Sequence, residues 1–185
     1  LTALLHAAER GLNVIGIDSD RIAAGAAGRN GGLLLAGIAD FHHNVRKDLG
    51  VDRATALYQH TLDEMDRIEA TTPDAVSRIG ALRIGELSHG DDPDELIDTY
   101  AHRDALLADG YPVEDYDGDQ GIGILIPTDG TFHPAKRAVK LAKLAQVTGA
   151  QIFTYSPAIK IESGLVTTDQ GTIKAKHIIV AIDGN

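Results

Sequence analysis

The residues best able to do chemistry lie near the start of the chain, in two neighbouring segments. The first is an apolar run at 14–17 that ends in Asp18 and Ser19, and the second is the Gly- and Ala-rich segment 25–32. A short apolar run is typical of a buried parallel strand, and a carboxylate at its C-terminal edge can accept both hydroxyls of an adenosine ribose. Glycine and alanine allow backbone N–H groups to approach a ligand closely. The pattern favours a dinucleotide site over the alternative, a buried strand followed by a surface Asp and a flexible loop.

The residues around these segments resemble one family of flavoenzymes. Residues 18–32 are similar to the start of the FAD-dependent D-amino acid oxidase superfamily, especially the amine-oxidising branch that contains glycine oxidase and gamma-glutamylputrescine oxidoreductase. Further matches follow in order at 132–134, where Phe-His-Pro precedes a helical run, and at 149–162. The resemblance covers nearly the whole chain. It implies an α/β fold in which a partial Rossmann-like FAD-binding domain carries an inserted α+β substrate-domain portion.

The resemblance also implies which residues bind the cofactor. Asp18 and Ser19 would contact the ribose of FAD, and Ala158 would contact the adenine through its backbone groups. The residues that would run past the pyrophosphate towards the flavin are Ala27, Gly28, Arg29, Asn30, Gly31 and Gly32. Arg29 could neutralise phosphate charge or pack over the loop, and Asn30 could equally be a turn residue. A larger residue at Gly31 should crowd the flavin or strain the backbone. No catalytic residue is identified.

The reaction implied by the resemblance is oxidation of the C–N bond of an amine or amino acid, with hydride transfer to flavin N5. The chain begins at Leu1, without the family's G-x-G-x-x-G loop, and lacks its C-terminal part. We therefore expect a fragment, and the alternative function is a non-catalytic fragment or remnant that does not bind FAD by itself. An NAD-dependent dehydrogenase fits less well, because those folds usually continue from the second strand to another helix and strand.

Hydrophobic periodicity predicts the elements that position these residues. We expect helices over about 1–10, 51–70, 92–108 and 134–148, and strands near 14–18, 81–85, 123–127, 151–155, 158–162, 164–168, 172–175 and 177–182. The pair Asp129-Gly130 signals a turn. These elements suggest a first part of the FAD-binding domain at 1–72, a substrate-domain portion at 73–130 and a second part of the FAD-binding domain at 131–185.

Composition limits the remaining classes of function. The net charge is −10, with 27 acidic and 17 basic residues, which argues against a nucleic-acid partner. The absence of cysteine excludes disulfides and thiol nucleophiles, and the pair His42-His43 lacks a carboxylate at ligand spacing, so we predict no metal site. No apolar run reaches the roughly 18 residues of a membrane span. We expect a cytoplasmic protein that acts on a small-molecule amine or amino acid, of undetermined oligomeric state.

Overall fold

The computed structural model describes residues 1–86 and 93–182, in two compact units: unit 1 contains Leu1–Asn30 and Pro134–Asn185, and unit 2 contains Gly31–His133. The helices are α1 (Thr2–Glu9), α2 (Ala26–Arg29), α3 (His42–Leu49), α4 (Val51–Thr71), α5 (Pro93–Ala108) and α6 (Pro134–Val147), with a short 3-10 helix at Pro73–Ala75. The strands are β1 (Ile15–Ile17), β2 (Leu33–Leu34), β3 (Val76–Ser77), β4 (Ala81–Glu86), β5 (Glu114–Gly118), β6 (Gly121–Ile126), β7 (Gly130–Phe132), β8 (Gln151–Phe153), β9 (Ala158–Glu162), β10 (Leu165–Thr168) and β11 (Thr172–Lys174).

Unit 1 is built around a parallel pair of strands, β1 and β8, with Gly16 opposite Ile152. Helix α1 leads into β1 because Gly11 adopts a φ of 73° and donates its N–H to the carbonyl oxygen of Ala8 at 2.8 Å. Such a left-handed glycine is a common way to end a helix. A second, antiparallel sheet has the strand order β11-β10-β9. The buried core of unit 1 consists of Leu5, Ala8, Leu141, Ala145 and Ala150.

Unit 2 combines helices α3 to α5 with two antiparallel sheets, ordered β2-β7-β3 and β4-β6-β5. Helix α4 buries Ala54, Tyr58 and Met65, which recur at helical spacing along one face. The side chains of Tyr58 and Met65 join a larger core than that of unit 1. Its buried members are Leu34, Ala36, Tyr58, Met65, Leu106, Tyr111, Ile124 and Ile126.

The predicted α/β class and most of the predicted elements are confirmed, but the strand expected at 177–182 is wrong. The structure shows no strand there, and Ile179 and Ile182 are 75% and 74% exposed. A strand needs a neighbouring backbone to satisfy its N–H and C=O groups. Among the described residues the parallel sheet contains only β1 and β8, so this apolar run has no strand to pair with.

Two other differences concern unit 2. The sequence analysis predicted neither α3 nor the acidic strand β5, which pairs with β6 through its backbone. The helix start expected at 92 lies outside the described residues, while α5 itself is confirmed from Pro93.

Helices α3 and α4 lie within the segment 1–72 but belong to unit 2. The assignment of cofactor and substrate roles to 1–72, 73–130 and 131–185 stays a prediction.

Candidate functional site

The loops that follow β1 and β8 are joined by backbone hydrogen bonds in unit 1. The Asp18 N–H donates to the carbonyl oxygen of Phe153 at 3.0 Å, and the Ser156 N–H donates to the carbonyl oxygen of Asp18 at 2.8 Å. The Tyr155 N–H donates to the carbonyl oxygen of Asp20 at 3.3 Å. Because β1 and β8 are parallel, both loops leave the same edge of the sheet, which is where α/β proteins bind ligands.

Asp18 and Ser19 are exposed at this edge, directly after β1. The Asp18 carboxylate accepts the N–H of Asp20 through Oδ1 at 3.0 Å, and its other oxygen makes no hydrogen bond to the described residues. Ala158 is also exposed and begins β9 two residues after Ser156, which is bonded to Asp18. The structure therefore brings Asp18, Ser19 and Ala158 to one edge, with a carboxylate oxygen available for ligand hydroxyls.

At the start of the segment expected to run past the pyrophosphate, Ala26–Arg29 form the single helical turn α2. Asn30 follows it, and its Nδ2 lies 3.2 Å from the carbonyl oxygen of Ala26 and 3.4 Å from that of Ala27. This side chain therefore caps carbonyl groups at the C-terminal end of the turn, in line with the turn role that the sequence left open. Arg29 is exposed and forms no ion pair with the described residues, so both of its possible roles stay open.

Backbone strain is concentrated in the two loops that follow β1 and β8. The non-glycine residues with positive φ in the described chain are Ala23, at 67°, and Tyr155, at 51°. A Cβ atom at Gly28 would overlap the carbonyl oxygen of Ala23, so close packing within unit 1 requires glycine at position 28. Strained conformations cost about 1–3 kcal/mol each and persist where the surrounding structure holds them, commonly at binding sites.

The other glycines of the segment differ from Gly28. No atom lies within 4 Å of the position that a Cβ would take at Gly25 or at Gly31. The φ of Gly31 lies outside the left-handed region, so the expected strain of a larger residue there is wrong. Gly32 is buried, has a φ of 69°, and accepts the Phe132 N–H at 2.7 Å. The protein itself therefore requires glycine at position 32 but gives no reason for it at 31. Gly31 and Gly32 both belong to unit 2.

A polar cluster inside unit 2 was not found from the sequence. His42 Nε2 lies 2.7 Å from Asp109 Oδ2, and these side chains are 3% and 4% exposed. Thr55 donates its hydroxyl to the same carboxylate oxygen at 3.0 Å, and Arg46 lies 3.5 Å from the other oxygen. The cluster ties α3 and α4 to the residue that follows α5. Its members are far apart in sequence, so no local motif signals it.

His102 and Asp129 are two further buried polar residues of unit 2. His102 Nδ1 accepts the N–H of His42 at 2.8 Å, and burial, with the nearby charge of Arg83, lowers the pKa of His102 to about 3. Asp129, read from sequence as a turn residue, is fully buried and accepts the N–H of Ala36 at 2.9 Å; burial raises its pKa. A cavity of about 10 Å³ beside His42 and His102 has room for one water rather than a substrate.

Within the described part of the chain, no group of three or more His, Cys, Asp or Glu side chains is placed to hold a metal ion. Nor do the helices of residues 1–86 and 93–182 include one long and apolar enough to cross a bilayer. The candidate site is the edge formed after β1 and β8, where exposed Asp18 and Ser19 lie.

Comparison with known proteins gives related enzymes at both the sequence and the structural level. Gamma-glutamylputrescine oxidoreductase of Escherichia coli is 27% identical over 194 residues, which cover 98% of this chain and 46% of the relative. A probable oxidoreductase, OrdL, of Haemophilus influenzae is 28% identical over 200 residues, which cover 98% of this chain and 46% of the relative. The chain thus spans about half the length of the curated relatives it matches.

Solved structures share the fold. Glycine oxidase from Geobacillus kaustophilus superposes with a TM-score of 0.69 at 20% identity, covering 94% of this chain and 49% of that one. L-proline dehydrogenase from P. horikoshii gives a TM-score of 0.68 at 20% identity, covering 94% and 47%. The family described as DAO, FAD dependent oxidoreductase, matches residues 1–184. The predicted resemblance is confirmed, and the chain belongs to the DAO family of FAD-dependent oxidoreductases.

Proposed function

We propose that the full-length protein oxidises the C–N bond of a small amine or amino acid with FAD, and that this chain supplies the ribose- and adenine-binding edge. The observation that carries the proposal is the exposed Asp18 carboxylate at the C-terminal end of β1, next to Ala158, in a chain of an FAD-dependent family. A carboxylate at this position of a parallel sheet is suited to accept the two ribose hydroxyls.

The residues at this edge fit a dinucleotide. The Asp18 oxygen that makes no protein hydrogen bond is available as an acceptor, and Ser19 and Ala158 are exposed beside it. The open space at the Cβ position of Gly25 leaves its backbone accessible to a ligand. The exposed guanidinium of Arg29 can neutralise phosphate charge in the same segment.

When bound, FAD supplies an acceptor for the hydride and its two electrons, and the amine carbon is left as an imine that water hydrolyses. This chain would hold the ribose through Asp18, adenine through the backbone of Ala158, and the pyrophosphate through 27–32. The substrate class is supported by the names of its relatives, which are an oxidoreductase of gamma-glutamylputrescine, a glycine oxidase and an L-proline dehydrogenase. A cytoplasmic location stays a prediction.

The second candidate is that this segment alone does not bind FAD. Its parallel sheet has two strands among the described residues, and a pair of strands by itself is marginally stable. The apolar residues Ile179 and Ile182 are mostly exposed. Both observations favour a segment that completes its cofactor domain only together with more chain. A test of function should therefore use the full-length protein and, in parallel, residues 1–185.

The test begins with the absorbance spectrum of the purified full-length protein. We expect the two visible bands of an oxidised flavin, and loss of those bands under anaerobic conditions when a panel of primary amines, secondary amines and amino acids is added. A protein without flavin would contradict the FAD proposal. Flavin that none of these substrates bleaches would contradict the reaction. For residues 1–185 alone, titration with FAD separates the first candidate from the second.

A further inference from the structure

We propose that Tyr155 stacks on the adenine of the bound dinucleotide and sets the affinity of its adenosine end. The inference rests on the proposed FAD function, because it assigns a further residue to the same edge. Tyr155 lies in the loop after β8, between Phe153 and Ser156, both of which are bonded through their backbones to Asp18. Tyr155 lies within the matching stretch 149–162, but the sequence analysis assigned it no role in binding.

The first argument is the conformation of its backbone. Tyr155 has a φ of 51°, which a bulky residue seldom adopts, and its N–H is held by the carbonyl oxygen of Asp20 at 3.3 Å. Glycine or asparagine would adopt this φ at lower cost. A tyrosine at this position is therefore strained. Burial of its ring does not offset the strain, because the residue is 60% exposed.

The second argument is the position of the Tyr155 backbone. The backbone of Tyr155 is tied to the turn that carries Asp18, and Ala158 follows three residues later. The proposed adenine contact is therefore close to Tyr155 in the sequence, and the turn with the proposed ribose contact is bonded to it in the structure. An exposed aromatic ring near both contacts can stack its face on a nucleobase. Stacking of this kind accepts any base but requires the aromatic side chain.

Three variants of the full-length protein separate a stacking role from a role in the fold. Tyr155→Asn removes the ring and keeps a residue that tolerates positive φ, Tyr155→Gly relieves the strain completely, and Tyr155→Phe retains the ring. We expect Tyr155→Asn and Tyr155→Gly to weaken FAD binding roughly tenfold, the typical effect of losing one base stack. Tyr155→Phe should bind as the wild type does, and the melting temperature of the apoprotein should be unchanged or raised in Tyr155→Gly.

Affinity is measured by titrating apoprotein with FAD and following flavin fluorescence, with ADP as a competitor that contains the adenosine end but no flavin. The Asn and Gly variants should lose affinity for FAD and ADP by the same factor. Wild-type affinity in Tyr155→Asn would overturn this inference and leave the FAD function standing. A wild-type protein that binds no FAD would overturn both. Loss of affinity together with a lower melting temperature in Tyr155→Gly would identify a role in the fold and would also overturn the inference.

Discussion

The two units satisfy their buried and exposed groups in different ways. Unit 2 closes a core around Leu106 and Ile124, neither of which has exposed surface, and ties its helices with the His42–Asp109 pair. Unit 1 keeps its loops in place through backbone hydrogen bonds and close glycine packing, while Asp18 and Tyr155 face solvent. Side-chain packing and a buried ion pair thus hold unit 2 together, whereas unit 1 exposes at its sheet edge the groups that we propose to contact the cofactor.

The largest expected effect is removal of the buried carboxylate in unit 2. Asp109→Ala leaves His42 Nε2, the Thr55 hydroxyl and Arg46 without their shared acceptor, and breaking such a buried pair costs on the order of 3 kcal/mol. Urea denaturation measures the change in the free energy of unfolding. Asp104→Ala, which removes a 66% exposed partner of Arg103, is the matched control and should cost under about 1 kcal/mol. Equal losses of stability in both variants would show that the buried Asp109 carboxylate contributes no more to the stability of unit 2 than an exposed one.

The second prediction concerns the stability of the protein at low pH. The unfolded chain binds a proton on His102 near its ordinary pKa of about 6.5, whereas the folded chain does so only near pH 3. The free energy of unfolding should therefore fall as pH drops from about 6.5 towards 3, by up to about 1.4 kcal/mol per pH unit from this group. His102→Asn should flatten the profile over that window, measured by denaturation at each pH. An unchanged slope in the variant would show that His102 is not the titrating group.

A smaller effect is expected at the glycine that packs within unit 1. Gly28→Ala places a methyl group against the carbonyl oxygen of Ala23, and overpacking of this kind costs about 1–3 kcal/mol. Thermal unfolding monitored by circular dichroism gives the change. The control is Gly31→Ala, where the added methyl group meets no atom within 4 Å. If Gly28→Ala were as stable as this control, the close approach of Gly28 to Ala23 would not be a constraint on the fold.

The smallest effect on stability is expected at Gly31. Gly31→Val should change the free energy of unfolding by less than about 0.5 kcal/mol, because its φ is not left-handed and its surroundings are open. The same variant should retain less flavin if the backbone at this position approaches the cofactor. The ratio of flavin to protein absorbance in the purified full-length protein measures retention. Full flavin occupancy in a folded variant would remove Gly31 from the proposed site.

The sequence was most informative where a local pattern controls local structure. Apolar periodicity predicted α4 and α6, because helical spacing is a property of a short segment. It failed at 177–182, where an apolar run is not enough to form a strand without a neighbour. It also failed for Asp109 and Asp129, whose burial depends on contacts between distant segments. The backbone conformation of Tyr155 is held by a hydrogen bond to Asp20, which is distant in sequence, so no local pattern predicts it.

The most direct test of the account is the affinity of the full-length protein for FAD after Asp18→Ala. The change removes a charged acceptor for two ribose hydroxyls, so the dissociation constant should rise roughly ten- to a hundredfold by fluorescence titration. The control Asp48→Ala removes an exposed carboxylate on α3 and should bind FAD as the wild type does. An Asp18→Ala variant that is folded and binds FAD with wild-type affinity would contradict the assignment of this edge as the cofactor site.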